Sequence, residues 1–190
     1  MLSREEIIQI FKEKEVMLEG HFLLTSDRHS GQYMQCAKLF QYADVSALIC
    51  RQLAEQFSDI EIDIVAGPAI GGIIMAYEMG RQLDVKNVFA ERENGAMTFR
   101  RGFTIPNGAN VLVTEDVVTT GGSVKEVMEL IRRMGGNVAG VGCVVDRSNG
   151  AVDFGVPFRA ALSMEVVSYA PEECPLCKSG VPAVKPGSRK

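Results

Sequence analysis

The stretch "VLVTEDVVTTGGSVKEV", residues 111–127, decides the fold. It opens as an apolar run and then sets two acids side by side, Glu115 and Asp116. After Val117 and Val118 the chain becomes small, hydroxyl-bearing and Gly-rich over Thr119, Thr120, Gly121, Gly122 and Ser123. Helical spacing follows at once. A buried strand that passes through a Gly-rich turn into a helix aims several backbone N–H groups at one spot, which is an anion site. The hydroxyls of Thr119, Thr120 and Ser123 add donors. The turn lacks the lysine that a nucleotide-hydrolysing phosphate loop carries, and a monophosphate fits it. The paired acids need a different partner, because a carboxylate repels a phosphate. Sugar hydroxyls or a divalent cation would serve. A ribose 5-phosphate satisfies both halves, with its phosphate in the turn and its 2- and 3-hydroxyls toward Glu115 and Asp116. The plainer alternative is a pair of acids that caps the following helix.

Outward from this stretch the pattern repeats. Strands are expected at 62–67, 87–91, 109–115, 138–146 and 158–164, with helices at 71–82 and 122–134. Strands apolar on both faces, alternating with helices, predict an α/β fold with a central, mostly parallel sheet flanked by helices. Ligands bind at the carboxyl ends of such strands, here 67–72, 91–106, 115–123 and 146–150. The segment 92–108 stands where a helix would be expected, but four glycines or prolines and three arginines make it a hairpin or a long mobile loop, a candidate lid. Nearer the N-terminus, residues 3–14 read as a helix with Ser3 as N-cap and Glu6 completing a capping box. Residues 22–36 read as two short strands around a turn at 26–31, and 42–57 as a helix.

The 190 residues suit a single domain, 1–190, with a sizeable core. No apolar run approaches the ~20 residues of a bilayer span, and the charged N-terminus lacks the apolar centre of a signal peptide. The expected compartment is the cytoplasm. A net charge of −4 argues against a broad basic face for nucleic acid, while leaving room for a local arginine cluster. The five cysteines form no disulfide framework. Cys174 and Cys177 make a lone "CPLC" without a second pair or a histidine nearby in sequence, so they read as reduced thiols in a tail, with a zinc shared across a dimer as the alternative. His21 and His29 read as surface or turn residues.

"VLVTEDVVTTGGS" resembles the phosphoribosyl pyrophosphate signature of the type I phosphoribosyltransferases. "LEGHFLLTSDRHSGQYMQC" is similar to the N-terminal hairpin of the orotate-specific branch, "VAGPAIGGI" to its pyrophosphate loop and "VVDRSNG" to its Asp-Arg strand end. "ERENGAMTFRRGF" and "CPLCKSGVPAVKPGS" resemble a shorter-chain subgroup. The resemblance implies a type I fold with a hood hairpin in 1–40, a mobile loop and a tail at 170–190. It implies transfer of ribose 5-phosphate from phosphoribosyl pyrophosphate to orotate, with Mg²⁺ accompanying the pyrophosphate and no protein side chain assigned as a resident metal's ligand.

By position, Glu115, Asp116, Val117, Val118, Thr119, Thr120, Gly121, Gly122 and Ser123 would hold the ribose 5-phosphate portion. Thr119 and Arg147 would contact orotate. Ala69–Gly72, with Gly71 where many members carry lysine, would lie at the pyrophosphate. Residues 92–105 stand in the place of a lid that the family shares between the subunits of a homodimer. Here that lid offers Arg92, Arg100 and Arg101 instead of lysines and a histidine. Asp116, Glu115 and Arg92 are the expected catalytic groups. The alternatives are a purine phosphoribosyltransferase, or a regulator that senses the same sugar phosphate. A third reading takes "GPAIGG" as a dinucleotide-binding loop with Glu91 as its acid, but the glycine spacing differs from that motif.

Overall fold

The computed structural model describes residues 1–24 and 26–186; Thr25 and the last four residues of the expected tail lie outside the described residues. In chain order the elements are α1 (Arg4–Glu13), β1 (Met17–Leu23), β2 (His29–Met34), α2 (Ala43–Gln56), β3 (Ile64–Pro68), α3 (Gly71–Leu83), β4 (Lys86–Glu93), β5 (Ala96–Phe99), β6 (Asn110–Val118), α4 (Gly122–Arg133), β7 (Asn137–Asp146), β8 (Phe158–Ser163), β9 (Ser168–Tyr169) and α5 (Pro175–Lys178). They divide into two compact units. One comprises Met1 and Phe40–Met164; the other joins Leu2–Leu39 to the chain from Glu165 onward.

The larger unit is a six-stranded sheet in the order β5-β4-β3-β6-β7-β8, parallel except for β5. Its central strands are apolar on both faces because helices cover both. α4 buries Val124, Val127, Met128 and Ile131, the i, i+3, i+4, i+7 stripe of an amphipathic helix, in a cluster with Ile64, Ala66, Val111, Val113, Val141 and Cys143. The alternate residues of β7 point the other way, where Gly140 and Gly142 make room for the Phe57 ring that follows α2. Burying a side chain of this size contributes about 1.5–3 kcal/mol.

The region 92–108 proves to be a hairpin in its first half. β4 runs on to Glu93, Asn94 and Gly95 turn with φ of 50° and 83°, and β5 returns antiparallel. Asn-Gly is the pair that tolerates such a turn. β6 extends past the expected end at 115 to Val118, since Glu115 pairs with Cys143 and Val118 with Asp146. The acids therefore stand on the strand itself.

In the smaller unit, α1 forms as expected. The Ser3 hydroxyl accepts from the Glu6 N–H at 3.2 Å, and the Glu6 carboxylate accepts from the Ser3 N–H at 2.7 Å. β1 starts at Met17, five residues before the expected strand, and β2 starts at His29 inside the expected turn. A register shift between Glu19 and Phe22 breaks the alternation that would have shown the strand. β9, which the sequence did not show, pairs with β2 through Ser30–Ser168 and His29–Tyr169. The N–H of Leu23 donates to the Val184 carbonyl at 2.9 Å, so the hood hairpin and the tail fold as one body. This corrects the reading of the "CPLC" pair as remote from any histidine. Cys174 Sγ lies 3.4 Å from His21 Nε2, and Cys177 Sγ 3.2 Å from His29 Nδ1. His21 is likewise no surface residue, at 3% exposed.

Candidate active site

β3 and β6 are neighbours in the middle of the sheet. From β3 the chain winds outward to β4 and β5, and from β6 it winds the opposite way to β7 and β8. The winding reverses between them, and a crevice outside the carboxyl ends of such strands is where an open α/β sheet binds ligands. The two segments that meet there are 68–72 and 115–123, the latter being the end of β6 and the turn into α4.

The first is drawn tight on itself and against the Asp116 side chain because glycines stand where it makes contact. A Cβ on Gly67 would lie 2.2 Å from the Gly72 carbonyl oxygen, and one on Gly71 would lie 2.4 Å from Asp116 Oδ2. The peptide between Ala69 and Ile70 is cis. Gly71 thus sets the backbone of the first turn directly against the second acid of β6.

The turn between β6 and α4 closes at Gly121, whose φ of 73° is the left-handed conformation glycine adopts freely. A Cβ there would meet the Phe154 ring at 2.9 Å, so glycine is required twice over. Gly121 is the N-cap of α4, and no side chain caps the helix. The first turn of α4 holds no acid. Its N-terminal N–H groups and dipole remain available to an anion. A cavity of about 290 Å³ opens here, lined by Glu115, Val117–Val124, Arg92 and Glu126.

Glu115 and Asp116 are partly buried at the rim. Asp116 Oδ1 accepts from the Val117 N–H at 2.9 Å, and Glu115 Oε1 from the Asp116 N–H at 3.1 Å. Desolvation, together with the adjacent Asp116 carboxylate, pushes Glu115 well above the usual carboxylate range. Two hard oxygen donors held together against their own repulsion fit a divalent cation or a pair of sugar hydroxyls.

Among the expected lid arginines, the structure separates one from two. Arg92 lines the cavity, pairs with Glu126 of α4 and donates to the Gly95 carbonyl at 3.0 Å. Arg101 pairs with Glu91 at 2.7 Å, and Arg100 lies 3.4 Å from Glu93; neither lines the cavity. Arg147 follows β7, and its N–H donates to the Val118 carbonyl at 2.8 Å, which places it beside Thr119. The expected residues Glu115–Ser123, Gly71, Arg92 and Arg147 are therefore brought to one end of the sheet.

Two further groups were not anticipated. Glu126 stands one turn beyond Ser123 on the same side of α4, a relation readable from i, i+3 spacing. Ser148 is 7% exposed, and its Oγ has no hydrogen-bond partner among the described residues. Nothing in "DRSNG" singles it out.

The phosphoribosyl transferase domain family matches residues 40–154. Orotate phosphoribosyltransferase of Pelotomaculum thermopropionicum is 61% identical over 189 residues, covering 100% of each chain. The enzyme of the same name from Caldanaerobacter subterraneus subsp. tengcongensis is 58% identical over 189 residues, again covering 100% of each. The crystal structure of orotate phosphoribosyltransferase from Aeropyrum pernix superposes with a TM-score of 0.73 at 24% identity, covering 83% of this chain and 93% of that one, and shows the fold to be shared. On a site built at the switch point of this sheet, and on relatives alike from end to end, the chain belongs to the orotate phosphoribosyltransferase family.

Proposed function

We propose that this chain transfers ribose 5-phosphate from 5-phosphoribosyl 1-pyrophosphate to orotate, giving orotidine 5-phosphate, on the route to UMP, and pyrophosphate. The observation that carries the reading is the meeting of Gly71 with Asp116 at the switch point, beside a helix N-terminus free for a phosphate. The 5-phosphate sits in Thr119–Ser123, the ribose hydroxyls face Glu115 and Asp116, and pyrophosphate lies along the turn at Gly71. Orotate stacks beyond, between Thr119 and Arg147, with the Ser148 hydroxyl as a further donor.

A ring nitrogen of orotate forms the bond to C1 as the C1–O bond to pyrophosphate breaks, and the nitrogen's proton passes to the departing pyrophosphate or to solvent, so no protein nucleophile is needed. The protein's contribution is alignment, which can supply about 7–11 kcal/mol, and fixed charge around the departing group. Arg92 supplies such charge from the cavity wall, exchanging its Glu126 partner for pyrophosphate. Arg100 and Arg101 do the same when the hairpin closes and excludes water. Mg²⁺, when bound, neutralises pyrophosphate charge, and the donors of Glu115 and Asp116 suit it. Such anionic substrates belong in the cytoplasm.

Two copies of the chain complete the enzyme in this reading, with Arg100 and Arg101 serving the partner's site. Ile74, Tyr77 and Leu48, all more than 40% exposed on the adjoining helices α3 and α2, give the second copy an apolar seat.

The test is to incubate the protein with phosphoribosyl pyrophosphate, Mg²⁺ and, separately, orotate, hypoxanthine, xanthine or uracil. Loss of orotate absorbance with no use of the other bases is expected. Consumption of a purine would overturn the reading in favour of a purine phosphoribosyltransferase. Binding without turnover would favour a sensor.

A further inference from the structure

His21, His29, Cys174 and Cys177 offer four ligand atoms that all lie within 4.8 Å of one another. They are separated by up to 156 residues, and all belong to the smaller unit. His21 comes from β1, His29 from the start of β2, Cys174 from the N-cap of α5 and Cys177 from within α5.

The four atoms converge closely enough for small side-chain shifts to form a coordination shell. Zinc bonds sulfur at about 2.3 Å and imidazole nitrogen at about 2.0–2.1 Å, so a tetrahedron places ligand atoms roughly 3.3–3.8 Å apart. His21 Nε2 lies 3.4 Å from Cys174 Sγ and 3.7 Å from Cys177 Sγ, and Cys177 Sγ lies 3.2 Å from His29 Nδ1. The two imidazole nitrogens approach to 2.8 Å.

The outer partners agree with this. His21 Nδ1 donates to the Val181 carbonyl at 2.7 Å, which leaves Nε2 as the lone-pair nitrogen, aimed at both thiols. Cys174 is fully buried and His21 is 3% exposed, so two of the four polar groups sit where water does not satisfy them. The Cys-x-x-Cys bend is closed by backbone bonds from the Lys178 N–H to the Cys174 carbonyl and from the Gly180 N–H to the Cys177 carbonyl.

We infer that these four side chains form a Cys₂His₂ zinc site that clamps the C-terminal segment onto the β1–β2 hairpin. Two sulfurs and two imidazole nitrogens converging within 4.8 Å of one another select zinc over hard cations. With all four positions supplied by protein, the site is structural and leaves no place for substrate. It is complete within one chain.

The test uses full-length, untagged protein kept reduced. Elemental analysis should find about one zinc per chain. Removing the metal with a chelator should lower the melting temperature, and adding Zn²⁺ back should restore it with a Kd below about 100 nM. Co²⁺ in its place should give the visible absorption of a tetrahedral thiolate complex. Cys177→Ala and His29→Ala should each lose the metal, while Cys177→His should retain it. Should a variant fail to fold, chelation and refilling of the unaltered chain decides. Wild-type protein that carries no zinc and does not change its melting temperature with Zn²⁺ overturns the inference. So does a Cys174–Cys177 disulfide in protein purified under reducing conditions, or full zinc content in the double variant Cys177→Ala/His29→Ala. None of these readouts depends on turnover.

Discussion

Gly71 and Asp116 constrain each other. The space a methyl group would take at 71 is already held by the Asp116 carboxylate, 2.4 Å from where that carbon would be. Gly71→Ala should therefore push the carboxylate off the sugar, lowering kcat/KM by about 10²-fold while far-ultraviolet circular dichroism stays unchanged. Near-normal turnover would remove Asp116 from the sugar site. Glu115 carries a cost that can be measured without substrate. Its folded-state titration lies above the ordinary value of 4.5, because burial and Asp116 disfavour its charge. Below that value both folded and unfolded chains are protonated and nothing is lost. As pH rises through it, the unfolded chain sheds a proton that the folded chain retains, so stability falls until the raised folded value is passed. Glu115→Gln removes this penalty. The melting temperature of the ligand-free variant should exceed that of the native chain at pH 7 by a few degrees, on the order expected for 1–2 kcal/mol, and match it at pH 4. Equal curves at both values would show that the pair is not strained.

Among the elements, the β4–β5 hairpin carries the clearest consequence. Its Asn94-Gly95 tip and the chain to Thr104 hold Arg100 and Arg101 against Glu91 and Glu93. Replacing 94–104 by a tight turn should cut kcat by about 10²-fold or more and leave inorganic phosphate binding at Thr119–Ser123 within about twofold, as read by calorimetry. Equal loss of both would make the hairpin part of the scaffold. How legible each element was follows from how local its signal is. α4 shows in sequence because Val124, Val127, Met128 and Ile131 repeat at helical spacing, and the phosphate turn shows because acids, glycines and hydroxyls are consecutive. β1 stayed partly hidden because an irregularity after Glu19 puts its polar residues out of alternation. β9 is two residues long and exists only through its pairing with β2. The meeting of Gly71 with Asp116, and of two histidines with two distant cysteines, is made by topology, which no spacing along the chain records. Arg92 was expected among the catalytic groups, but no spacing set it apart from Arg100 or Arg101; what distinguishes it is its place on β4, paired with Glu126 of α4.

For the whole molecule the decisive question is which chain supplies each cation to a given site. Arg92 lines the cavity of its own chain, whereas Arg100 and Arg101, just after β5, pair with Glu93 and Glu91 and do not line it. At the start of α3, the N-cap Ile70 with Ile74 and Tyr77 stand exposed at i, i+4, i+7 spacing, the stripe that the proposed second copy would cover. In the proposed two-copy enzyme, Tyr77→Glu should shift the chain toward monomer in light scattering and reduce turnover with it. The assignment of the arginines then separates by complementation. Asp116→Asn alone and the double variant Arg100→Ala/Arg101→Ala alone should each be nearly inactive. Unfolded together and refolded as a mixture, they form hybrids in which one site receives the damaged hairpin and the damaged carboxylate, and the other receives neither. About a quarter of all sites should recover. The same mixture made with Arg92→Ala should recover nothing, because Arg92 and Asp116 serve one cavity in one chain and every hybrid site then keeps one defect. Recovery in the Arg92 mixture, or none in the Arg100/Arg101 mixture, would exchange the roles of strand and hairpin tip.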